Sequence, residues 1–187
     1  AGWHADPRLP LDILAGFVPL GQAVRSARRF DLLGAQVLIA GTGAQGCMAA
    51  TIARYAGARN VVVADAHPAG LALAASLGVA HVVDTRDASL ATLRRELGIV
   101  DGFDLGIDTT GRTPALGDLL AHLRLGGQLA LLRAPADDAC LPLQPLIAKQ
   151  ISVLGLDARD NVPDWERLTS ALQSGLDVSP VISRCLP

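Results

Sequence analysis

The sequence predicts an α/β fold, in which a doubly wound parallel sheet of six strands carries helices on both faces. Two observations support this prediction. Short apolar runs recur along the 187 residues, and the segments between them have apolar residues three and four positions apart, which is the spacing of one helix face. Glycine and proline also stand where those segments begin and end. Apolar runs separated by helices indicate parallel strands that are buried on both faces.

The six predicted strands are continuous apolar runs of strand length. They are Val37–Ala40, Asn60–Ala64, His81–Asp84, Phe103–Asp108, Gln128–Leu132 and Ile151–Leu156. A further short strand is expected at Val181–Ser183, close to the last residue.

The predicted helices alternate with these strands. They are Leu11–Arg29 with a break near Pro19, then Ala44–Ala56, Pro68–Leu77, Ser89–Leu97, Pro114–Leu123 and Pro163–Ser174. Pro68 and Pro114 are expected as first helical residues, and Thr113 as a helix cap. Three arginines of the first helix are interpreted as a solvated face rather than a binding patch: Arg25, Arg28 and Arg29.

Composition excludes several classes of function. The net charge is −2 and aromatic residues make up 3% of the chain, so neither a nucleic-acid nor a membrane-surface partner is expected. No apolar segment has the length of a membrane helix. The three cysteines, Cys47, Cys140 and Cys185, are widely spaced, which predicts neither a disulfide framework nor a metal site and favours a cytoplasmic location.

A glycine motif follows the first predicted strand directly and opens the next helix. It has the pattern G-x-G-x-x-G and comprises Gly41, Thr42, Gly43, Ala44, Gln45 and Gly46. The first glycine permits a tight turn, the second leaves the backbone open to a pyrophosphate, and the third lets helix and strand pack closely. The helix N-terminus then offers free N–H groups to an anion. The motif therefore predicts a dinucleotide site in a Rossmann fold.

An acidic residue at the end of the second strand supports the same prediction. Asp65 lies 19 residues after Gly46, where a carboxylate accepts the ribose hydroxyls of NAD and repels the 2′-phosphate of NADP. No arginine or lysine follows it in Ala66–Gly70. We therefore expect NAD as the cofactor, with NADP disfavoured.

At this point the chain resembles the medium-chain dehydrogenase/reductase family, the zinc-type alcohol dehydrogenases. The resemblance runs from about Leu11 to the end of the chain. It rests on the order and spacing of the glycine motif and of the segments Gly21–Arg25, Ala56–Asp65, Ala72–Val79, Asp108–Gly111 and Gly126–Ala130.

The resemblance implies further cofactor-binding residues. Thr109, Thr110 and Arg112 would line the adenosine side, with Leu132 and Ala134 on the nicotinamide side. Backbone groups of Ser152, Val153 and Leu154 would reach the carboxamide. Arg133 stands where the family commonly has a glycine. Two alternatives stay open for its side chain: it pairs with an anionic group of the substrate or cofactor, or it points to solvent.

The resemblance also implies how the chain relates to a larger enzyme. Residues 1–30 would be a helical lead-in from a catalytic domain that this chain lacks, and residues 31–187 the NAD(P)-binding domain. Zinc is not expected in this chain, because Ala15 stands where family members often carry the last zinc ligand. The implied function is hydride transfer between NAD and an alcohol or carbonyl substrate, with catalytic residues unassigned. A homodimer is expected through the edge strand Ile151–Leu156.

Two alternatives from other classes stay open at this level. An S-adenosylmethionine-dependent methyltransferase also uses a glycine turn and an acid after the second strand, but it usually carries an acid before the first glycine, where this chain has Ile39-Ala40. The other is a non-catalytic domain retained for cofactor binding or assembly.

Overall fold

The computed structural model describes residues 6–134, 141–157 and 162–182. Its centre is one parallel sheet of six strands in the order β3-β2-β1-β4-β5-β6. The strands are β1 (Gln36–Ala40), β2 (Asn60–Asp65), β3 (His81–Asp84), β4 (Phe103–Asp108), β5 (Leu123–Leu131) and β6 (Ser152–Gly155). This order confirms the predicted doubly wound sheet.

The strand order reverses direction at β1, which pairs with β2 on one side and with β4 on the other. Val37 is in register with Val61 of β2 and with Leu105 of β4. In a sheet of this kind a crevice opens beyond the carboxyl ends of the strands at the point of reversal. The loops that follow β1 and β4 are therefore placed on the two sides of one crevice.

Helices surround the sheet, and their bounds follow the predicted order. They are α1 (Leu11–Ala15), α2 (Phe17–Arg29), α3 (Ala44–Tyr55), α4 (Pro68–Ser76), α5 (Leu90–Glu96), α6 (Thr113–His122), α7 (Leu143–Ala148) and α8 (Val162–Gln173). Within the described residues, no helix is both long enough and apolar enough to cross a membrane.

Alternate residues of the central strands face two separate cores. In β1, Val37 and Ile39 belong to a core that includes residues of α2, α3 and α8. Leu38 and Ala40 belong to a second core, which includes residues of α5 and α6. The period-two alternation of a strand thus supplies apolar side chains to both faces, which is why the run Val37–Ala40 is apolar throughout.

Two of the three arginines expected on a solvated face of α2 also form ion pairs. Arg25 and Arg28 both bind the carboxylate of Asp164 in α8, at 2.8 and 2.6 Å, and the Asp164 side chain is only 1% exposed. The helical spacing of α2 does not predict these ion pairs, because their partners lie 139 and 136 residues apart in the sequence. The two arginines therefore join α2 to α8, while Arg28 and Arg29 are exposed as expected.

Three local predictions were wrong for identifiable reasons. The N-terminal helical region is interrupted at Gly16 rather than near Pro19, because Pro19 lies in the first turn of α2, where a missing N–H costs no hydrogen bond. The expected last strand is instead a 3₁₀ turn, Ser179–Val181, where Asp177 accepts hydrogen bonds from the amide and hydroxyl of Ser179. Its final residue, Ser183, lies outside the described residues. Thr113 begins α6 itself and makes no side-chain cap hydrogen bond.

Candidate functional site

The glycine motif forms the turn between β1 and α3. Gly41 has φ +107°, a conformation that side chains disfavour, and its N–H donates to the carbonyl of Ala64 in β2 at 2.9 Å. A Cβ on Gly46 would stand 2.0 Å from the carbonyl oxygen of Gly41. These two glycines are therefore required by the close packing of the loop on the helix.

The middle glycine has a different role. A Cβ on Gly43 would meet no atom within 4 Å, and the residue is the N-cap of α3 without a side-chain cap. The N–H groups in the first turn of a helix have no partner within the helix and attract anions. Open space in front of these donors fits a pyrophosphate, which is the group that the motif predicts there.

Asp65 ends β2 beside the glycine loop and is held by four donors. Its Oδ2 accepts hydrogen bonds from the amide and the hydroxyl of Thr42, both at 2.6 Å. Its Oδ1 accepts from the amides of Ala66 and His67, at 2.6 and 3.2 Å. Burial raises the pKa of Asp65, but the Thr42 hydroxyl and the three amides outweigh it and lower the pKa below its ordinary value. The carboxylate is therefore ionised at neutral pH.

The loop between β4 and α6 forms the other side of the crevice. The buried carboxylate of Asp108 accepts hydrogen bonds from the amide and hydroxyl of Thr110 and from the amide of Gly111. The Thr109 hydroxyl donates to the carbonyl of Ala40, at the end of β1, at 2.9 Å. Asp108 thus shapes the loop that carries the predicted adenosine-side residues. The sequence prediction did not include it as a site residue, although it ends a strand at the point of reversal.

A pocket of about 220 Å³ lies at the carboxyl ends of β1 and β2, beside the β4–α6 loop and α6. Leu38, Ala40 and Ala64 form part of its apolar lining, while Asp65, Thr110 and Arg112 form part of its polar lining. The structure thus brings together Asp65, Thr110 and Arg112, three of the residues expected on the adenosine side, and Ala66 lines the same pocket. A largely apolar pocket that a carboxylate lines fits an adenine ring and its ribose.

Two residues at the start of α3 have side-chain hydrogen-bond partners, one in α2 and one in the glycine loop. The amide of Gln45 donates to Oε1 of Gln22, a largely buried residue of α2. Cys47 is fully buried, and its thiol contacts the carbonyl oxygen of Thr42 at 3.3 Å. Burial, together with the nearby charge of Asp65, raises the pKa of Cys47 to about 11. Cys47 is therefore a packing residue.

The residues expected on the nicotinamide side follow β5 or belong to β6. Leu132 is buried and its amide donates to the carbonyl of Asp108 at 2.9 Å, whereas Arg133 and Ala134 are exposed. Arg133 makes no ion pair with another residue in the described part of the chain. The segment 132–134 therefore lies at the edge of the sheet that carries the glycine loop. Ser152, Val153 and Leu154 lie within the exposed strand β6, in register with residues 128–130 of β5.

Among residues 6–134, 141–157 and 162–182, no group of three or more His, Cys, Asp or Glu side chains is placed to hold a metal ion. Ala15, where the family resemblance would put a zinc ligand, is the last residue of α1. Cys140 and Cys185 lie outside the described residues.

A six-stranded parallel sheet with a glycine loop after β1 and an acid at the end of β2 is typical of dinucleotide-binding domains. Comparison with known proteins makes the assignment specific. Residues 44–174 match the family model described as zinc-binding dehydrogenase. The chain belongs to this family and corresponds to the cofactor-binding domain of its medium-chain members.

Individual relatives agree with this assignment. The chain is 39% identical over 181 residues to L-threonine 3-dehydrogenase of Solibacter usitatus and 40% identical over 181 residues to that of Streptomyces coelicolor; each match covers 97% of this chain and 53% of the relative. Among solved structures, L-idonate 5-dehydrogenase of Escherichia coli superimposes with a TM-score of 0.82 at 25% identity, covering 94% of this chain and 50% of that one. The chain thus spans about half the length of the relatives it matches.

These matches separate the functional hypotheses. They show membership of a dehydrogenase family and confirm the resemblance to alcohol dehydrogenases, and they do not support the methyltransferase alternative. An alcohol dehydrogenase from a Thermus species, at 24% identity and a TM-score of 0.82, agrees with the fold.

Proposed function

We propose that this chain binds NAD(H) in preference to NADP(H) and holds it for hydride transfer. The observation that carries the proposal is the ionised carboxylate of Asp65, which contacts the glycine loop through Thr42 and lines the pocket beside the β4–α6 loop. A carboxylate there accepts ribose hydroxyls and repels a 2′-phosphate. When bound, the nicotinamide supplies the hydride chemistry, and the protein supplies binding and orientation.

The site residues divide along the crevice. Gly41, Thr42, Gly43, Ala44, Gln45 and Gly46 would hold the pyrophosphate at the start of α3. Asp65, Ala66, Thr109, Thr110 and Arg112 would hold the adenosine. Leu132, Arg133, Ala134 and the backbone of Ser152, Val153 and Leu154 would hold the nicotinamide half. This division is supported by the side of the crevice on which each group lies.

The cofactor preference is tested by fluorescence titration of the chain with NADH and with NADPH. Tighter binding of NADH is expected. Asp65→Ser removes the acceptor and the repelling charge together, so it should narrow the difference between the two cofactors. Equal or tighter binding of NADPH by the unmodified chain would refute the preference.

For the larger enzyme, we propose that residues 31–187 form the cofactor domain and that residues 1–30 lead in from a catalytic half. The substrate proposed is a small alcohol or the corresponding carbonyl. L-Threonine is the first candidate to assay, because relatives with that activity in their names align over 97% of this chain. The 187-residue chain alone is not expected to turn over alcohols. Zinc-dependent oxidation of an alcohol by this chain would refute that expectation and the interpretation of Ala15. A cytoplasmic location stays a prediction.

We further propose that two copies pair through β6. All four residues of this edge strand are exposed, and Val153 and Leu154 are 38% and 37% exposed. Ile147 in the neighbouring helix α7 is 76% exposed. An unprotected apolar edge favours pairing with another strand, and a two-fold axis lets the same edge serve both copies.

The pairing is tested by light scattering at micromolar concentration. The expected mass is twice that of one chain. Val153→Pro should reduce it to one chain, because proline removes a ladder donor. A mass of one chain for the unmodified protein would refute the dimer.

A further inference from the structure

The acceptor capacity of Asp65 is already filled from within the chain. A carboxylate offers about four lone-pair positions. Thr42 occupies Oδ2 with its amide and its hydroxyl, and the amides of Ala66 and His67 occupy Oδ1. An adenosine ribose that binds Asp65 therefore has to replace or share at least one internal hydrogen bond.

The Thr42 hydroxyl is the donor with the least freedom to find another partner. Thr42 is only 5% exposed. A Cβ on Gly70 of α4 would stand 2.0 Å from its Oγ1, so the helix backbone lies directly against the hydroxyl. A hydroxyl displaced from Asp65 would be left buried without an acceptor, which is unfavourable.

We propose that Thr42 sets the cofactor affinity of this site, because its hydroxyl competes with the ribose hydroxyls for Oδ2 of Asp65. This inference rests on the proposed function and adds a residue to it. Thr42 acts against ribose binding, whereas Asp65 is the acceptor that both donors share. The Thr42–Asp65 hydrogen bond re-forms when the cofactor leaves, so it also favours a faster rate of cofactor dissociation.

The test compares Thr42→Val with the unmodified chain. Valine keeps the volume packed against Gly70 and removes only the donor. We expect Thr42→Val to bind NADH roughly three- to tenfold more tightly, the factor that corresponds to one net hydrogen bond. Thr42→Ser keeps a hydroxyl and is the matched variant; it should bind NADH more weakly than Thr42→Val.

Two nucleotides show whether the effect acts through the ribose. ADP carries both ribose hydroxyls, and its binding, measured by calorimetry, should tighten in Thr42→Val. The analogue 2′,3′-dideoxy-ADP lacks both hydroxyls and should show no tightening. Equal tightening for both nucleotides would overturn the inference, because the competition would then not involve the ribose.

A measurement without ligand tests the contact itself. Thr42 donates through its hydroxyl to Asp65, so Thr42→Val should raise the pKa of the Asp65 carboxyl when it is followed by NMR. Circular dichroism verifies that the variant is folded.

The outcomes separate this inference from the proposed function. If the unmodified chain binds NADH and Thr42→Val binds it equally or more weakly, the inference fails and the proposed function stands. If neither protein binds NADH or ADP, both fail. An unchanged Asp65 pKa in folded Thr42→Val also overturns the inference.

Discussion

Replacing two glycines of the loop one at a time should separate cofactor binding from folding. In Gly46→Ala, the new Cβ would stand 2.0 Å from the carbonyl oxygen of Gly41, 2.8 Å from its carbonyl carbon and 3.1 Å from Oγ1 of Thr109. These neighbours include backbone atoms, so the loop or the helix must move. Overpacking of this kind costs about 1–3 kcal/mol, partly offset by a gain of about 1 kcal/mol from replacing a helical glycine with alanine.

Gly43→Ala is the matched variant. Its Cβ would meet nothing within 4 Å, and the backbone at Gly43 has φ −63° and ψ 174°, which alanine adopts without strain. Stability should therefore change by less than about 1 kcal/mol, because the gain from restricting the unfolded chain is opposed by the preference for glycine over alanine at an N-cap. The added methyl group would occupy the space in front of the α3 N-terminus, so NADH binding should weaken by about tenfold or more.

Thermal unfolding and NADH titration measure the two effects. For a domain of this size, 1 kcal/mol corresponds to roughly 2–4 °C in Tm. We expect Gly46→Ala to lower both Tm and NADH affinity, and Gly43→Ala to lower affinity alone. NADH binding at the unmodified level in Gly43→Ala would refute the assignment of the open space to the pyrophosphate. A Tm for Gly46→Ala that is no lower than the Tm of Gly43→Ala would refute the packing argument.

Three further predictions concern buried and ionised groups. Asp164→Ala should lower the free energy of unfolding, measured by urea denaturation, by about 2–3 kcal/mol. The substitution removes the buried carboxylate that pairs with Arg25 and Arg28, and these two arginines keep partial contact with water. A change below about 0.5 kcal/mol would contradict this prediction. Cys47 should resist alkylation by iodoacetamide at pH 8 in the folded protein and react after unfolding, because it is fully buried and its pKa is raised to about 11. Mass spectrometry of the peptide that contains Cys47 measures the alkylated fraction; alkylation in the folded protein would contradict the prediction. The pKa of Asp65 is lowered in the folded state, so its contribution to stability is present above its unfolded pKa of about 4 and is lost as the pH falls further. Urea denaturation at pH 7 and at pH 3 measures how much stability each protein loses on acidification. Asp65→Asn should lose less than the unmodified chain, and an equal loss would contradict the prediction.

The fold was predictable because its signals are local. The segment Val37–Ala40 of β1 is apolar throughout since both faces of the sheet are covered there, and this pattern needs no knowledge of the partner strands. Proline at the starts of α4 and α6 and glycine after α4 mark boundaries through backbone geometry alone. The strand β5 began five residues earlier than expected, at Leu123, because its pairing with β4 includes a register shift that only the sheet reveals.

The identity of the candidate site residues came from sequence, but their mutual contacts came only from the tertiary structure. Gly41, Gly43, Gly46 and Asp65 are recognisable because a dinucleotide loop needs those residue types at that spacing. The bond between Thr42 and Asp65 spans 23 residues, and the bonds from Asp164 to the two arginines of α2 span more than 130. Contacts between such distant residues depend on how β1 pairs with β2 and how α8 packs against α2, and no local sequence pattern records either. The sequence by itself therefore determined the helices and strands and the predicted class of cofactor. The tertiary structure decided which groups donate hydrogen bonds to Asp65 and which charged side chains are buried.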